Sequence, residues 1–339
     1  MRLQPAAGGL LRSRRLVVGP DAPALGRSNQ RVLSSRLAAR DQAARPDDHT
    51  WIRRVRRSVV HALSVDVEDW YHDSAVNAAV PAEQRVERNT LLLLDILAAR
   101  GVTATFFFLG EVVDRFPSLA RRVVAAGHEI GSHGYLHRAV MGGTHRQFRE
   151  DVARSLRVIE DTTGARVWGY RAPYFSIKAD VRWPIEILGE LGVRYDASIL
   201  AIDRPPGLEL VCPRAPFRHA NGVWEIPVAV LQVLYFWHLP LASGTGLRLL
   251  PPRMLRRWVA HFERDVGAGV FYLHPWELDP DSPTASAVSR WVLRVGRLHL
   301  AERLDTLLRQ IRFASIREVF AEQLAHGSDM LVVRNAAGA

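Results

Sequence analysis

An α/β barrel with a mainly parallel sheet is the fold that the sequence predicts, and three observations point to it. Short apolar runs alternate with amphipathic stretches from Val59 onward, the pattern of successive strand–helix units. Asp66, His133, Arg171, Asp196 and His274 each fall at or just past the end of one such run. Polar side chains gathered at the C-terminal ends of strands are what a TIM-like barrel provides. The strand count is nearer seven than eight, so a seven-stranded (β/α) barrel is expected.

The elements follow in order. Val59–Val67 reads as a buried strand, and Gln84–Arg100, with four leucines at 91–94, as a helix closed by Gly101. Thr103–Leu109 is rich in β-branched and aromatic residues, which favour a strand. Glu111–Ala126 is expected as one helix stopped by Gly127, followed by a short strand at His128–Ile130. Thr144 and Gln147 have the spacing of a capping box opening a helix that runs to about Thr163. Further strands are expected at Val167–Tyr170, Val193–Tyr195, Val223–Val230 and Val270–Leu273. Helices are expected near Trp183–Leu191, Pro251–Arg264 and Ala285–Arg312. Val228–Leu250 is strongly apolar, but Gln232, His238, Pro240 and a Ser-Gly-Thr-Gly run interrupt it, which argues against a membrane span. It reads as a core strand plus loop. The alternative is an aromatic platform, built on Tyr235 to His238, for a sugar ring or a carrier lipid.

At 339 residues the chain can bury a full core, and 48% hydrophobic with 24% charged residues is ordinary for a globular protein. The single cysteine, Cys212, excludes an internal disulfide framework and fits a reducing compartment. The net charge of +10 suggests nucleic-acid binding until it is located: residues 1–60 hold 13 Arg and 4 acidic residues, a local +9. The remainder is nearly neutral, so no basic face for nucleic acid is expected. Residues 1–58 are expected to be a disordered basic arm. The arm is read either as a non-functional leader or as a peripheral contact with anionic lipid or polymer. It lacks the continuous apolar run of a secretory signal, so the expected location is cytoplasmic, at the inner face of the membrane if the arm binds lipid. A single domain at 59–325 and a tail at 326–339 complete the organisation.

His133 and His137 lie four residues apart, a spacing that lets two imidazoles reach one ion where the segment turns helically. His128 and His145 lack such support and read as structural. Upstream, Asp66, Glu68 and Asp69 bring three carboxylates to a strand end. Two imidazoles plus one carboxylate, with positions left open, is a recipe for a hydrolytic divalent-metal site, and a second carboxylate can act as general base. In extended chain Asp66 and Glu68 point the same way. Asp69 takes the ligand role instead if the strand breaks into a turn at 67–68. No Gly-x-Ser-x-Gly stands near a plausible base, and Cys212 sits in a Pro-rich loop, so a covalent nucleophile is not expected.

Five segments, Ser64–Trp70, His133–His137, Arg171–Tyr174, Tyr195–Ser198 and Leu273–Trp276, together resemble the NodB-homology polysaccharide deacetylases, carbohydrate esterase family 4. More closely they resemble the branch associated with exopolysaccharide gene clusters. The resemblance spans roughly residues 60–325 and implies the NodB-type barrel. It implies one divalent ion, Zn²⁺ foremost with Co²⁺, Ni²⁺ or Mn²⁺ also acceptable, held by His133, His137 and a carboxylate. It further implies Asp66 as catalytic base, Arg171 as its partner, the Tyr174 backbone N–H as oxyanion donor, His274 as general acid and Asp196 as the residue orienting His274. Val67 stands where the family usually has a second adjacent aspartate, which is why the metal carboxylate is open between Glu68 and Asp69. Trp276 and Glu277 flank the site and would shape a sugar pocket, while His72, Trp70 and Glu225 read as structural. The implied activity is removal of N-acetyl groups from amino sugars, in an N-acetylated polysaccharide or a lipid-linked oligosaccharide. Two rivals are an amidohydrolase acting on a small or cyclic amide and a carbohydrate-binding module without catalysis.

Overall fold

The computed structural model describes residues 59–72, 84–178, 181–200, 213–233, 237–239, 242–281 and 296–325. The basic arm, the C-terminal tail, Cys212 and the aromatic residues Tyr235 and Phe236 lie outside them. Side chains of the 231–241 segment are likewise undescribed, so the expected aromatic platform falls there too. Among the described residues no helix is long and apolar enough to cross a membrane.

Strand β1 (Val60–Val67) sits inside the sheet, and its alternation explains the architecture. Leu63, Val65 and Val67 join an apolar cluster that includes Leu93 and Leu97 of helix α1 (Val86–Ala98). Ala62 belongs to a second cluster, which includes Phe107, Tyr195 and Trp224. Strand β2 (Thr105–Phe108) repeats the division: Phe106 and Phe108 join the first cluster, Phe107 the second. One face of each strand therefore packs on helices and the other lines the barrel interior.

The remaining strands are β3 (Glu129–Ser132), β4 (Gly169–Tyr170), β5 (Tyr195–Asp196), β6 (Phe217–Arg218), β7 (Trp224–Glu225), a β8–β9 hairpin (Leu231–Val233, Trp237–Leu239), β10 (Val270–Leu273) and β11 (Arg312–Ala314). Seven of them run parallel in the order β10-β1-β2-β3-β4-β5-β7. That is the count expected from sequence. Antiparallel β6 edges β7. A single parallel bridge between Val228 and Val270, with Ala229 N–H donating to the Val270 carbonyl at 3.1 Å, joins the two ends of this order. β11 pairs with the first residues of β1, on the side opposite β10. Beyond it, helix α9 (Ile316–Val319) adds Ile316 to the interior cluster along with Phe320, closing the barrel at the end away from Asp66.

Helices α2 (Gly110–Arg115), α3 (Pro117–Ala125), α4 (His145–Thr163), α5 (Trp183–Glu190), α6 (Gly244–Leu249), α7 (Pro252–Asp265), α8 (Leu300–Gln310) and α10 (Ala321–Ala325) complete the chain. The single helix expected over Glu111–Ala126 is broken at Phe116, because Pro117 lacks the N–H needed to continue one helix and opens the next. The capping box is present as expected: Thr144 Oγ1 accepts from Gln147 N–H, and Gln147 Oε1 accepts from Thr144 N–H. The strand expected over Val223–Val230 is shorter, with Trp224–Glu225 in the ladder and Val228 in isolated bridges. Residues 285–295 of the helix expected to reach Arg312 lie outside the description; its end instead turns extended at Arg312.

Asp196 and Glu225 are register partners on β5 and β7, and both are fully buried. Asp196 Oδ1 accepts from Ser198 Oγ at 2.6 Å, and Glu225 Oε1 accepts from the Ile199 N–H at 3.1 Å. Burial disfavours charge on both carboxyls, pushing Asp196, with the neighbouring Glu225 adding to the effect, well above its ordinary range and Glu225 up to about 8.

Two consequences are measurable. A methyl at Gly169 would lie 2.1 Å from the Tyr195 ring, whose hydroxyl donates to Glu129 at 3.0 Å. Gly169→Ala should cost about 1–3 kcal/mol in urea unfolding. The folded state holds the Glu225 proton above the ordinary carboxyl value of 4.5, so the associated stability is complete below that pH and is lost as pH rises through about 8. Glu225→Gln should flatten that decline in urea midpoints measured across the same window.

Candidate active site and metal centre

The sheet delivers the site by strand ends. β1 carries Asp66 and runs on to Glu68; His133 follows β3, Arg171 follows β4 and His274 follows β10. Glu68, His133 and His137 offer ligand atoms that all lie within 4.8 Å of one another. Both histidines are oriented from behind. His133 Nδ1 donates to the Arg171 carbonyl and His137 Nδ1 to the His72 carbonyl, each at 2.8 Å. A carbonyl only accepts, so each proton sits on Nδ1 and each Nε2 lone pair is presented to the cluster.

The donor set fits a cation. Glu68 Oε2 is buried 2.7 Å from His137 Nε2, with no hydrogen-bond donor of its own. At that distance the two atoms share either a proton on His137 Nε2 or a cation held between them. Burial works to raise Glu68, but the neighbouring histidines outweigh it and hold the carboxyl well below its ordinary range. Burial likewise works to lower His137, and Glu68 overcomes it in the upward direction. His133, deeper and dominated by burial, falls to about 4 and is a neutral imidazole. A carboxylate and two imidazoles, with chemistry that calls for a cation, suit a Zn²⁺-type ion.

Asp66 lies beside this cluster. Its Oδ1 accepts from Arg171 Nη1 at 2.8 Å, and both side chains are buried. Arg171 also donates to Ser64 Oγ and to the Ala197 carbonyl, and its guanidinium stacks 4.5 Å above Phe107. Next along the chain, Tyr174 and Phe175 have φ of 56° and 49°, left-handed values that cost non-glycine residues about 1–3 kcal/mol each. The turn is held by Ser176 Oγ, which donates to the Pro173 carbonyl and accepts from Val140 N–H, and by Tyr174 Oη donating to the His72 carbonyl.

His274 closes the site from the opposite side. Its Nε2 is 3.5 Å from Glu68 Oε1 and 3.9 Å from Asp66 Oδ2, with the side chain 21% exposed. Burial works to lower it, but Glu68, Glu277 and Asp66 together raise it to about 9. A cation against Glu68 would offset part of that push. Trp276 stacks on His274 at 5.2 Å and donates its indole N–H to Glu68 Oε1 at 3.2 Å. It thus orients the carboxylate as well as flanking it.

Two expected roles do not fit. Asp69 is not in the metal cluster: its carboxylate accepts from the backbone N–H groups of Trp70, Arg85 and Val86, at the start of α1. Asp196 makes no contact with His274; its Oδ1 accepts from Ser198 and it sits in register with Glu225. Glu277 takes that place, with Oε2 3.2 Å from His274 Nδ1. The His72 ring also stays out of the cluster; it accepts from Asp69 N–H and meets Glu111 at 3.1 Å. Its carbonyl, invisible to any motif, supports both His137 and Tyr174.

Comparison with known proteins finds two family matches along the chain. Residues 80–195 match the polysaccharide deacetylase family and residues 197–321 the domain of unknown function DUF3473. A peptidoglycan deacetylase of Helicobacter pylori is 32% identical over 114 residues, covering 34% of this chain and 38% of that protein. A peptidoglycan-N-acetylglucosamine deacetylase of Bacillus cereus is 30% identical over 145 residues, covering 38% and 52%. The chain thus spans about half or less of the length of these curated relatives. A candidate polysaccharide deacetylase from Mycobacterium smegmatis shares the fold, with a TM-score of 0.53 at 24% identity, over 84% of this chain and 98% of that one. With one match ending at residue 195 and the next beginning at 197, the chain carries a polysaccharide deacetylase domain followed directly by a DUF3473 domain.

Proposed function

We propose that the chain is a metal-dependent hydrolase that removes N-acetyl groups from amino-sugar units of a polysaccharide or its lipid-linked precursor, in exopolysaccharide synthesis. One observation carries this reading: the Glu68, His133 and His137 cluster stands between a buried carboxylate, Asp66, and a second histidine, His274. Such a set divides naturally into ion ligands, base and acid.

Glu68, His133 and His137 would hold one divalent ion, Zn²⁺ foremost. When bound, such an ion polarises the acetyl carbonyl and lowers the pKa of water. Asp66, aimed by Arg171, takes the proton of the attacking water as oxygen bonds to the carbonyl carbon. The Tyr174 backbone N–H, in the strained turn, would serve as the oxyanion donor. His274 Nε2 then gives a proton to the amide nitrogen, the C–N bond breaks, and acetate and a free amine leave. The peptidoglycan and chitin deacetylase names of the relatives support an N-acetylated glycan as the substrate class.

Purified protein loaded with Zn²⁺ or Co²⁺ should release acetate from N-acetylglucosamine oligomers, and chelation should abolish it. His133→Ala should lose both the bound ion and the activity. Asp66→Asn should retain one ion per chain while kcat drops about 10²–10⁴-fold. Turnover confined to small cyclic amides would favour the amidohydrolase reading, and oligosaccharide binding without any turnover the binding-module reading; either overturns the proposal.

A further inference from the structure

Resting on the deacetylase reading, we infer that Glu277, anchored by Arg248 of the DUF3473 segment, is the positioning residue that holds His274 ready to donate its proton. Glu277 is 2% exposed and grips His274 twice through one oxygen: Oε2 accepts from the His274 backbone N–H at 3.1 Å and lies 3.2 Å from Nδ1. A carboxylate only accepts, so Nδ1 carries a proton and Nε2 is the edge turned toward Asp66 and Glu68. Burial would raise Glu277, yet His274 and Arg248 keep it below its ordinary range and so ionised. The other oxygen, Oε1, faces Arg248 Nε at 3.4 Å, with both side chains buried. Arg248 is steadied in turn by Nη2 donating to Thr245 Oγ1 at 2.9 Å.

The backbone is shaped to admit this carboxylate. A Cβ at Gly244 would stand 2.0 Å from Glu277 Oε2 and 2.4 Å from its Cδ, so only glycine leaves the space. The approach is fixed by a parallel bridge between Ser243 and Tyr272, with Tyr272 N–H donating to the Ala242 carbonyl. That bridge brings the start of α6 beside the strand that delivers His274. Arg248, Gly244 and Glu277 all fall within residues 197–321, so the DUF3473 match supplies the acid and its support, while the metal histidines belong to the preceding match.

In the proposed step, Nε2–H passes to the departing nitrogen, which takes the electron pair of the C–N bond. Nδ1–H remains bonded to Glu277 throughout. Removing the carboxylate frees the ring to turn and weakens its hold on the proton geometry, without touching the ion or the base.

The experiment compares Glu277→Gln with wild type, both loaded with Zn²⁺. Expected is a kcat on N-acetylglucosamine oligomers lower by about 10- to 10³-fold, with KM and ion stoichiometry close to wild type. On 4-nitrophenyl acetate, whose leaving group departs without protonation, the loss should be a small fraction of that. In a His274→Ala background the second change should add nothing, because the two act as one unit. Equal losses on amide and ester, or additive effects with His274→Ala, would overturn the inference. Should Glu277→Gln fail to fold around the stranded Arg248 charge, the double variant Glu277→Gln/Arg248→Met removes both charges and serves in its place. A measurement without substrate separates this idea from the deacetylase reading. Proton NMR of wild type should show an exchange-protected His274 Nδ1–H that the variant loses. That signal with no acetate release from wild type would retain the positioning role and sink the activity; no difference in the signal would sink the positioning role alone.

Discussion

The guanidinium of Arg171 is the tie on which the rest of the site depends. It is fully buried and donates to Asp66 and Ser64 of β1 and to the carbonyl of Ala197 just past β5, while stacking on Phe107 of β2. Its own carbonyl accepts from His133, so the residue that aims the proposed base also aims an ion ligand. A charge this deep is tolerated only when paired and hydrogen-bonded, and deleting one partner strands the other. Base, ligand and the strained turn at Tyr174 are therefore consequences of one placement rather than independent features.

The pocket is assembled from three stretches of unequal visibility to family comparison. Asp66 and Glu68 precede the first matched region; His133, His137 and Arg171 fall within it; His274, Glu277 and Arg248 fall within the second. Parallel ladders join these stretches, with β1 flanked by β2 and β10, so residues distant in sequence become neighbours at one rim. The domain division by sequence thus cuts through a single reaction centre.

Much of this was legible from the residues, for stated reasons. Strand–helix alternation and the polar strand ends sufficed for the barrel and its seven parallel strands. The i, i+2 rule favoured Glu68, and Glu68 stands with the two histidines beside Asp66. Asp69 stayed open as a rival because its partners, the N–H groups opening α1, lie 16 and 17 residues away and carry no side-chain signal. The resemblance carried over a role for Asp196 without its surroundings: its carboxyl bonds Ser198 and lies in register with Glu225, away from His274. Glu277 could have been found. Pro275 after His274, with Glu277 three residues on, is the spacing by which a helix start folds an acid back onto the preceding residue. The two-residue strands and the backbone carbonyl of His72 offered no pattern to read, since tertiary pairing alone defines them.

The bridge between Val228 and Val270 gives the cylinder a seam. Along β1, β2 and β3 the ladders are continuous, and inserting one residue there would turn every following side chain to the wrong face. At the seam Val228 and Ala229 are held by isolated bridges rather than a continuous ladder, and lengthening a flexible connection costs only loop entropy, about 0.6 kcal/mol for each doubling of length. Tolerance to changes in chain length is therefore distributed unevenly around the wall. The side that carries Asp66 and the candidate ion ligands is rigid in register, and the seam side is held by fewer ladder contacts.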